Sequence, residues 1–208
     1  MATSLKKFMS GIAGKMAPGP STTFSLFHVF YALELMSMKP LGRNKLAKEL
    51  NVGDGAVRTI ISRLKNAGLI ETSKECCILT KKGSEIWQQF EQLFPKRIEI
   101  TKIELNQSQF NFAFLVRNTG QKVGSGIDQR DAAIIAGARK ALVMVFKNGH
   151  LSIESVSECV EEDYPKATNQ ILKELTPQNN DVIIIAGADS APEAKCGTFA
   201  ASWSLINA

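Results

Sequence analysis

The sequence predicts an α+β protein of two domains, a small helix-rich domain carrying one hairpin and then a mixed α/β domain. Three observations predict it. Apolar residues recur at helical spacing through residues 24–94, interrupted by two short strand-like runs. Beyond Pro95, short apolar runs bounded by polar and glycine turns alternate with helical segments. Charge divides at nearly the same place: residues 1–97 carry 15 Lys and Arg against 7 Asp and Glu, whereas residues 98–208 carry 10 against 13. The expected organisation is a basic N-terminal arm over 1–20, a helix-rich domain over 21–95 and an α/β domain over 96–208.

The residues justify each element in turn. Lys6, Lys7 and Lys15 are scattered among apolar residues ahead of Pro18-Gly19-Pro20, which predicts an arm or frayed helix whose lysines touch phosphate. Ser21 or Thr22 then caps an apolar helix from Phe24 to Met38, ended by Pro40. Leu46, Ala47 and Leu50 mark a helix of about two turns. In the turn Asn51-Val52-Gly53 we expect Gly53 to take positive φ. Asp54 is the natural cap of the next helix, with Val57, Ile60, Ile61 and Leu64 facing inward and Gly68 closing it. Leu69-Ile70 and Cys76 to Thr80 form a hairpin, and a further helix carries Ile86, Trp87, Phe90, Leu93 and Phe94 on one face.

In the second half, Ile98 to Leu105 and Phe110 to Val116 read as strands. A helix follows over about Asp128 to Arg139, then a buried strand Ala141 to Phe146 turning at Asn148-Gly149 into His150 to Ile153. Pro165 to Leu175 is a helix, Val182 to Ile185 a buried strand, and Ser190 with Glu193 a capping box for a last helix toward Leu205.

Composition excludes several classes. With 208 residues, 44% hydrophobic and 22% charged, the chain is neither collagen-like nor low-complexity. Four cysteines are too few for a disulfide-built scaffold. The longest apolar stretch, 24–36, includes His28 and Glu34 and is too short to span a bilayer. No leader pattern opens the sequence, so a cytoplasmic protein without a membrane partner is expected.

Helix, helix, tight turn, helix, hairpin, helix is the order of a winged helix-turn-helix domain. The wording LAKELNVGDGAVRTIISRLKNAGLI followed by LTKKG resembles the MarR-like and related archaeal regulators over roughly residues 22–94. The runs GSGIDQRDAAIIAGARKALVMVFKNGHLSI and IIIAGADSAPEAKCGTFAASW resemble the C-terminal domain of archaeal winged-helix proteins of unknown function. The resemblance implies archaeal origin and a regulator, and brings no ligand or catalytic residue with it.

The helix opening at Asp54 is the expected reader of double-stranded DNA. Its outer face presents Asp54, Gly55, Arg58, Thr59, Ser62, Arg63 and Lys65. Arg58 suits a base contact because its fork can bond both major-groove acceptors of guanine. Thr59 and Ser62 serve a base edge or a phosphate, whereas Arg63, Lys65, Arg43 and Lys45 suit phosphates, and Lys74 sits at the wing tip. Large apolar residues on the flanking helices suggest a homodimer. Two glycine-containing turns invite a small-molecule effector pocket, with Lys122, Gly124, Gly126, Asp128 and Arg130 from the first and Gly187, Asp189 and Ser190 from the second.

The cysteines lack metal spacing, so no metal is expected. Cys159 and Cys196 read as small apolar fillers, and one of Cys76 and Cys77 faces inward. No nucleophile or metalloprotease motif occurs, and neither a cofactor nor an enzyme is expected. The alternatives are an enzyme with an appended winged helix and a winged-helix module that binds protein.

Overall fold

The computed structural model describes residues 2–14, 23–73, 75–100, 103–154 and 156–206. The chain divides into two compact units, Met1–Phe90 and Glu91–Ala208. No helix among the described residues is long and apolar enough to cross a membrane.

The first unit opens with α1 (Ala2–Ala13), a packed helix rather than a loose arm: Leu5, Met9 and Ile12 lie on one face and are buried. Helix α2 (Leu26–Met38) is buried over most of its circumference, through Phe27, Val29, Phe30, Leu33 and Met36. Its cap is Ser25, whose N–H donates to His28 Nδ1 at 3.0 Å; Ser21 and Thr22 lie outside the described residues. Burial pushes the His28 imidazole below its ordinary pKa. Pro40 holds Lys39 extended and ends α2.

Helix α3 (Arg43–Leu50) closes on Asn51, which takes the left-handed conformation at φ 51. That corrects the expectation for Gly53, whose φ is −67. Asparagine enters this region more readily than most residues with a side chain, and the Asn51 N–H there reaches the carbonyls of Ala47 and Lys48. Helix α4 spans Asp54–Asn66. The hairpin β1 (Ile70–Thr72) and β2 (Cys77–Leu79) pairs Ile70 with Leu79 and Thr72 with Cys77. Leu41 bridges to Cys77, which ties the start of α3 to the hairpin. The unit boundary falls within α5 (Lys81–Leu93), where Trp87 and Phe90 pack on Phe30 with ring centroids 5.5 and 5.0 Å away. The apolar surplus that argued for a homodimer is thus largely buried within the chain.

The second unit is a five-stranded antiparallel sheet in the order β3-β4-β7-β5-β6. The strands are β3 (Lys96–Glu99), β4 (Phe110–Val116), β5 (Lys140–Lys147), β6 (His150–Ser152) and β7 (Val182–Ala188). All seven residues of β7 are buried, as expected of a central strand covered on both faces. One face packs α6 (Ile127–Ile135) and α9 (Ala191–Leu205), where the Phe199 ring meets both Phe114 and Trp203. The opposite face meets α7 (Val160–Asp163) and α8 (Pro165–Leu175) in a core of Ala113, Leu115, Met144, Ile171, Ile183 and Ile185. Alternation along β4 and β7 sends odd and even residues to different layers.

Local signals explain the boundaries. Asn148 and Gly149 both take positive φ, 54 and 89, as the tight turn joining β5 to β6 requires. The last helix starts where Ser190 accepts from Glu193 N at 3.4 Å and donates to its carboxylate at 2.8 Å. At the far end of β7, buried Asp181 accepts from Gln178 N at 2.7 Å, from Asn118 N at 2.9 Å and from Arg117. A buried carboxylate so completely bonded fixes the entry of the central strand.

Candidate nucleic-acid interface

Helix α4 is amphipathic by construction. Asp54 in its first turn and Arg63 and Lys65 in its last complement the helix dipole. Ala56, Val57, Ile60 and Leu64 form the buried stripe. Gly68 ends it at φ 72, its N–H donating to Lys65 O at 2.9 Å, while Leu69 N–H reaches Leu64 O at 2.9 Å. The expected stripe included Ile61, which is instead only half-buried; Ala56 takes the inner position because it lies one turn before Ile60.

With that stripe inside, Asp54, Gly55, Arg58, Ser62 and Lys65 are exposed. Thr59 is half-buried, and its hydroxyl donates to Gly55 O at 2.9 Å, leaving an oxygen lone pair to accept. Arg43 and Lys45 are exposed at the start of α3. Ile61 helps line an open cleft of about 650 Å³ bounded by Arg43 and Lys45 on one side and by Ser73 and Cys76 of the hairpin turn on the other. Arg58, three residues before Ile61, and Lys65, four after it, share its helix face. Among the described residues, no acidic side chain pairs with Arg43, Lys45, Arg58 or Lys65. These cations are held on packed helices and stay available to an anion outside the fold.

Arg63 departs from this pattern. Rather than facing outward toward phosphate, its guanidinium donates to Ile12 O at 2.8 Å and Gly14 O at 2.7 Å, and lies 5.1 Å from the centre of the Phe24 ring. The last carbonyls of α1 have no intrahelical partner, and a cation there satisfies them and the helix dipole together. Lys74 lies outside the described residues. Of the paired cysteines, Cys77 is buried and Cys76 half-buried, as strand alternation implies. Burial, with Cys76 beside it, pushes the Cys77 thiol up.

The residues expected to line an effector pocket do not converge. Strands β4 and β7 are antiparallel, with Val116 opposite Val182 and Phe110 opposite Ala188. The glycine loop after β4 and the turn after β7 therefore lie at opposite ends of the sheet, about 20 Å apart by strand rise. Gly124 and Asp128 are exposed, and Gly126 is the left-handed cap of α6 at φ 75. Lys122 Nζ donates to Leu205 O at 3.4 Å, near the end of α9. At the other end, Asp189 pairs with Arg139 at 2.8 Å, and Ser190 caps α9. Gly187 sits within β7, where an added Cβ would lie 2.3 Å from Ser108 Oγ. Sequence reasoning grouped these residues by analogy with parallel sheets, whose strand ends share one edge.

Arg130 belongs elsewhere. It lines a groove of about 420 Å³ with Arg139, Lys140 and Asn106 over an apolar floor that includes Ile134 and Leu142. Asn106 is buried, and its Nδ2 has no hydrogen-bond partner. Neither Asn106 nor Lys140 carried a signal in the sequence, because the groove is assembled from three separate segments.

Comparison with known proteins separates the two units. Residues 27–94 match the family model of the CggR N-terminal DNA binding domain. Residues 107–205 match a domain of unknown function, DUF4443. No curated protein matches the chain. Among solved structures, a hypothetical protein from Pyrococcus horikoshii OT3 is 23% identical, covering 88% of this chain and 94% of its own, with a TM-score of 0.72. At that identity the likeness shows the fold alone. The chain thus joins a region similar to a DNA-binding domain to a region similar to a domain of unknown function, which supports DNA as the partner of the first unit.

Proposed function

We propose that the protein is a sequence-specific transcriptional regulator that sets the N-terminal half of α4 into the major groove of double-stranded DNA, as the reader helix of a winged helix-turn-helix domain. The observation that carries this reading is the exposed, unpaired Arg58 on the first turns of a helix whose opposite face is fully packed. Ser62 and Thr59 lie beside it for base edges or phosphates, and Lys65, Arg43 and Lys45 neutralise the backbone. The resemblance of roughly residues 22–94 to MarR-like and related archaeal regulators supports the same reading. A homodimer would present two reader helices to two half-sites. The protein acts in the cytoplasm and performs no catalysis.

The second unit senses a small effector in this reading. Its support is the groove of Arg130, Arg139 and Lys140 over apolar side chains. Arg130 and Arg139 pair with Asp131 and Asp189, and Lys140, with no acidic partner among the described residues, is left for an anion with an apolar body.

Binding of the purified protein to its own promoter region, measured across a salt series, tests the proposal. Affinity should fall steeply as salt rises, because each neutralised phosphate releases counterion. Arg58→Ala should cost about 1–3 kcal/mol at one base position and flatten sequence preference there, whereas Lys65→Ala should weaken all sequences alike and lower the salt slope by about one. Equal loss on every sequence for Arg58→Ala overturns its role as reader. Absence of a footprint at any salt, with a protein co-purifying, favours an interaction module.

A further inference from the structure

Three side chains with metal-binding chemistry meet at the edge of the second unit. His150 opens β6, and the chain then folds back through the Ile153–Ser157 bridge to return Cys159 and Glu161 beside it. Cys159 Sγ lies 3.9 Å from His150 Nδ1 and 3.3 Å from Glu161 Oε2. The three ligand atoms all lie within 4.8 Å of one another. His150 is exposed, while Cys159 and Glu161 are half-buried. Cys159 is thus no apolar filler.

We infer that His150, Cys159 and Glu161 form a binding site for one divalent transition-metal cation of the zinc class, through Nδ1, Sγ and Oε2, with water in the fourth position. The geometry is the first argument. Bonds of about 2.3 Å to sulfur and about 2.0–2.1 Å to nitrogen and oxygen place tetrahedral ligand atoms roughly 3.4–3.6 Å apart. The sulfur's two separations fall a few tenths of an ångström on either side of that. The His150–Glu161 separation lies within 4.8 Å, and movement of the exposed imidazole toward the carboxylate completes the set.

The second argument is the support behind the ligands. Glu161 Oε1 accepts from Leu151 N at 2.9 Å, which fixes the carboxylate and leaves Oε2 directed at the sulfur. Orientation of a ligating carboxylate by a backbone donor is the usual outer shell of a metal site.

The donor set selects the cation. Sulfur and imidazole suit zinc, cobalt, nickel or copper, and one carboxylate oxygen is far short of the six to eight oxygens that calcium takes. As the metal–sulfur bond forms, the thiol proton leaves to solvent and the Cys159–Glu161 hydrogen bond is replaced by two bonds to the metal. A cavity of about 560 Å³ adjoins the exposed His150 and is lined also by Ser152, Ser157 and Glu158. Spacing concealed the site. His-x8-Cys-x-Glu matches no CxxC pattern, and only the fold-back after β6 brings the ends together.

Titration of the full-length, tag-free protein with Zn²⁺ and with Co²⁺ tests the inference. One equivalent should bind and raise the unfolding temperature, and Co²⁺ should give tetrahedral visible bands with a thiolate-to-metal charge-transfer band. Cys159→Ser should abolish that band, and His150→Ala and Glu161→Gln should each weaken binding about 100-fold or more, beyond what an outer-shell loss costs. Cys76→Ser and Cys196→Ser should change neither. Because His150 is exposed, His150→Ala stays folded even if the cysteine variant does not. No binding of either ion overturns the site, as does Co²⁺ binding that survives His150→Ala or equal stabilisation by Mg²⁺.

Discussion

The outer face of α4 and the turns of the second unit drew attention for the same reason, polar residues and glycines at the start of a helix. The structure treats them differently. In the first unit Arg58, Ser62 and Lys65 stand clear of the packed stripe beneath them, and no described acidic side chain neutralises the two cations. In the second, Ser190 is spent on capping α9, Lys122 on a carbonyl near the end of the same helix, and Gly187 on making room for Ser108. The lesson is that residue type at a helix start identifies a binding site only after the fold's own demands have been met.

Stability measurements on single variants can break or sharpen that contrast. The largest effect is expected at Gly187→Val, because the first added carbon already falls 2.5 Å from Ser108 Cβ and 2.7 Å from Asn111 Oδ1. Chemical denaturation should show a loss of about 3 kcal/mol. A neutral outcome would mean that the segment over β7 moves aside freely. Arg63→Ala comes next, at about 2 kcal/mol, since it strands the carbonyls of Ile12 and Gly14 at the end of α1 and removes the cation over Phe24. Arg58→Ala, five residues earlier on the same helix, should leave the unfolding midpoint nearly unchanged. Equal losses from these two arginines would erase the distinction between an anchoring and an outward residue. Smallest is Ser190→Ala, about 1 kcal/mol in a thermal melt, the ordinary worth of a helix cap.

Much of the fold was legible because its signals are local. Pro40 ends α2, Gly68 ends α4, Asn148-Gly149 turns β5 into β6, and Ser190 with Glu193 starts α9, each through chemistry contained within a few residues. The outer face of α4 followed from periodicity, apart from the exchange of Ala56 for Ile61 and the turning of Arg63 toward α1. What stayed hidden depends on contacts distant in sequence. Nothing near Arg63 announces that the carbonyls of Ile12 and Gly14 will claim it. Strand direction is equally invisible in an apolar run, and an antiparallel pairing of β4 with β7 was enough to pull one supposed pocket into two separate ends. Even at short range, Asn51 took the left-handed position that Gly53 had been assigned.

The grip of Arg63 on the last carbonyls of α1 has a practical consequence for handling the molecule. Anything attached ahead of Ala2 pulls on a helix that is fastened directly to the base of α4. An affinity handle placed there would tug at the helix proposed to enter the duplex, so comparative footprinting is better done with the handle on the opposite terminus.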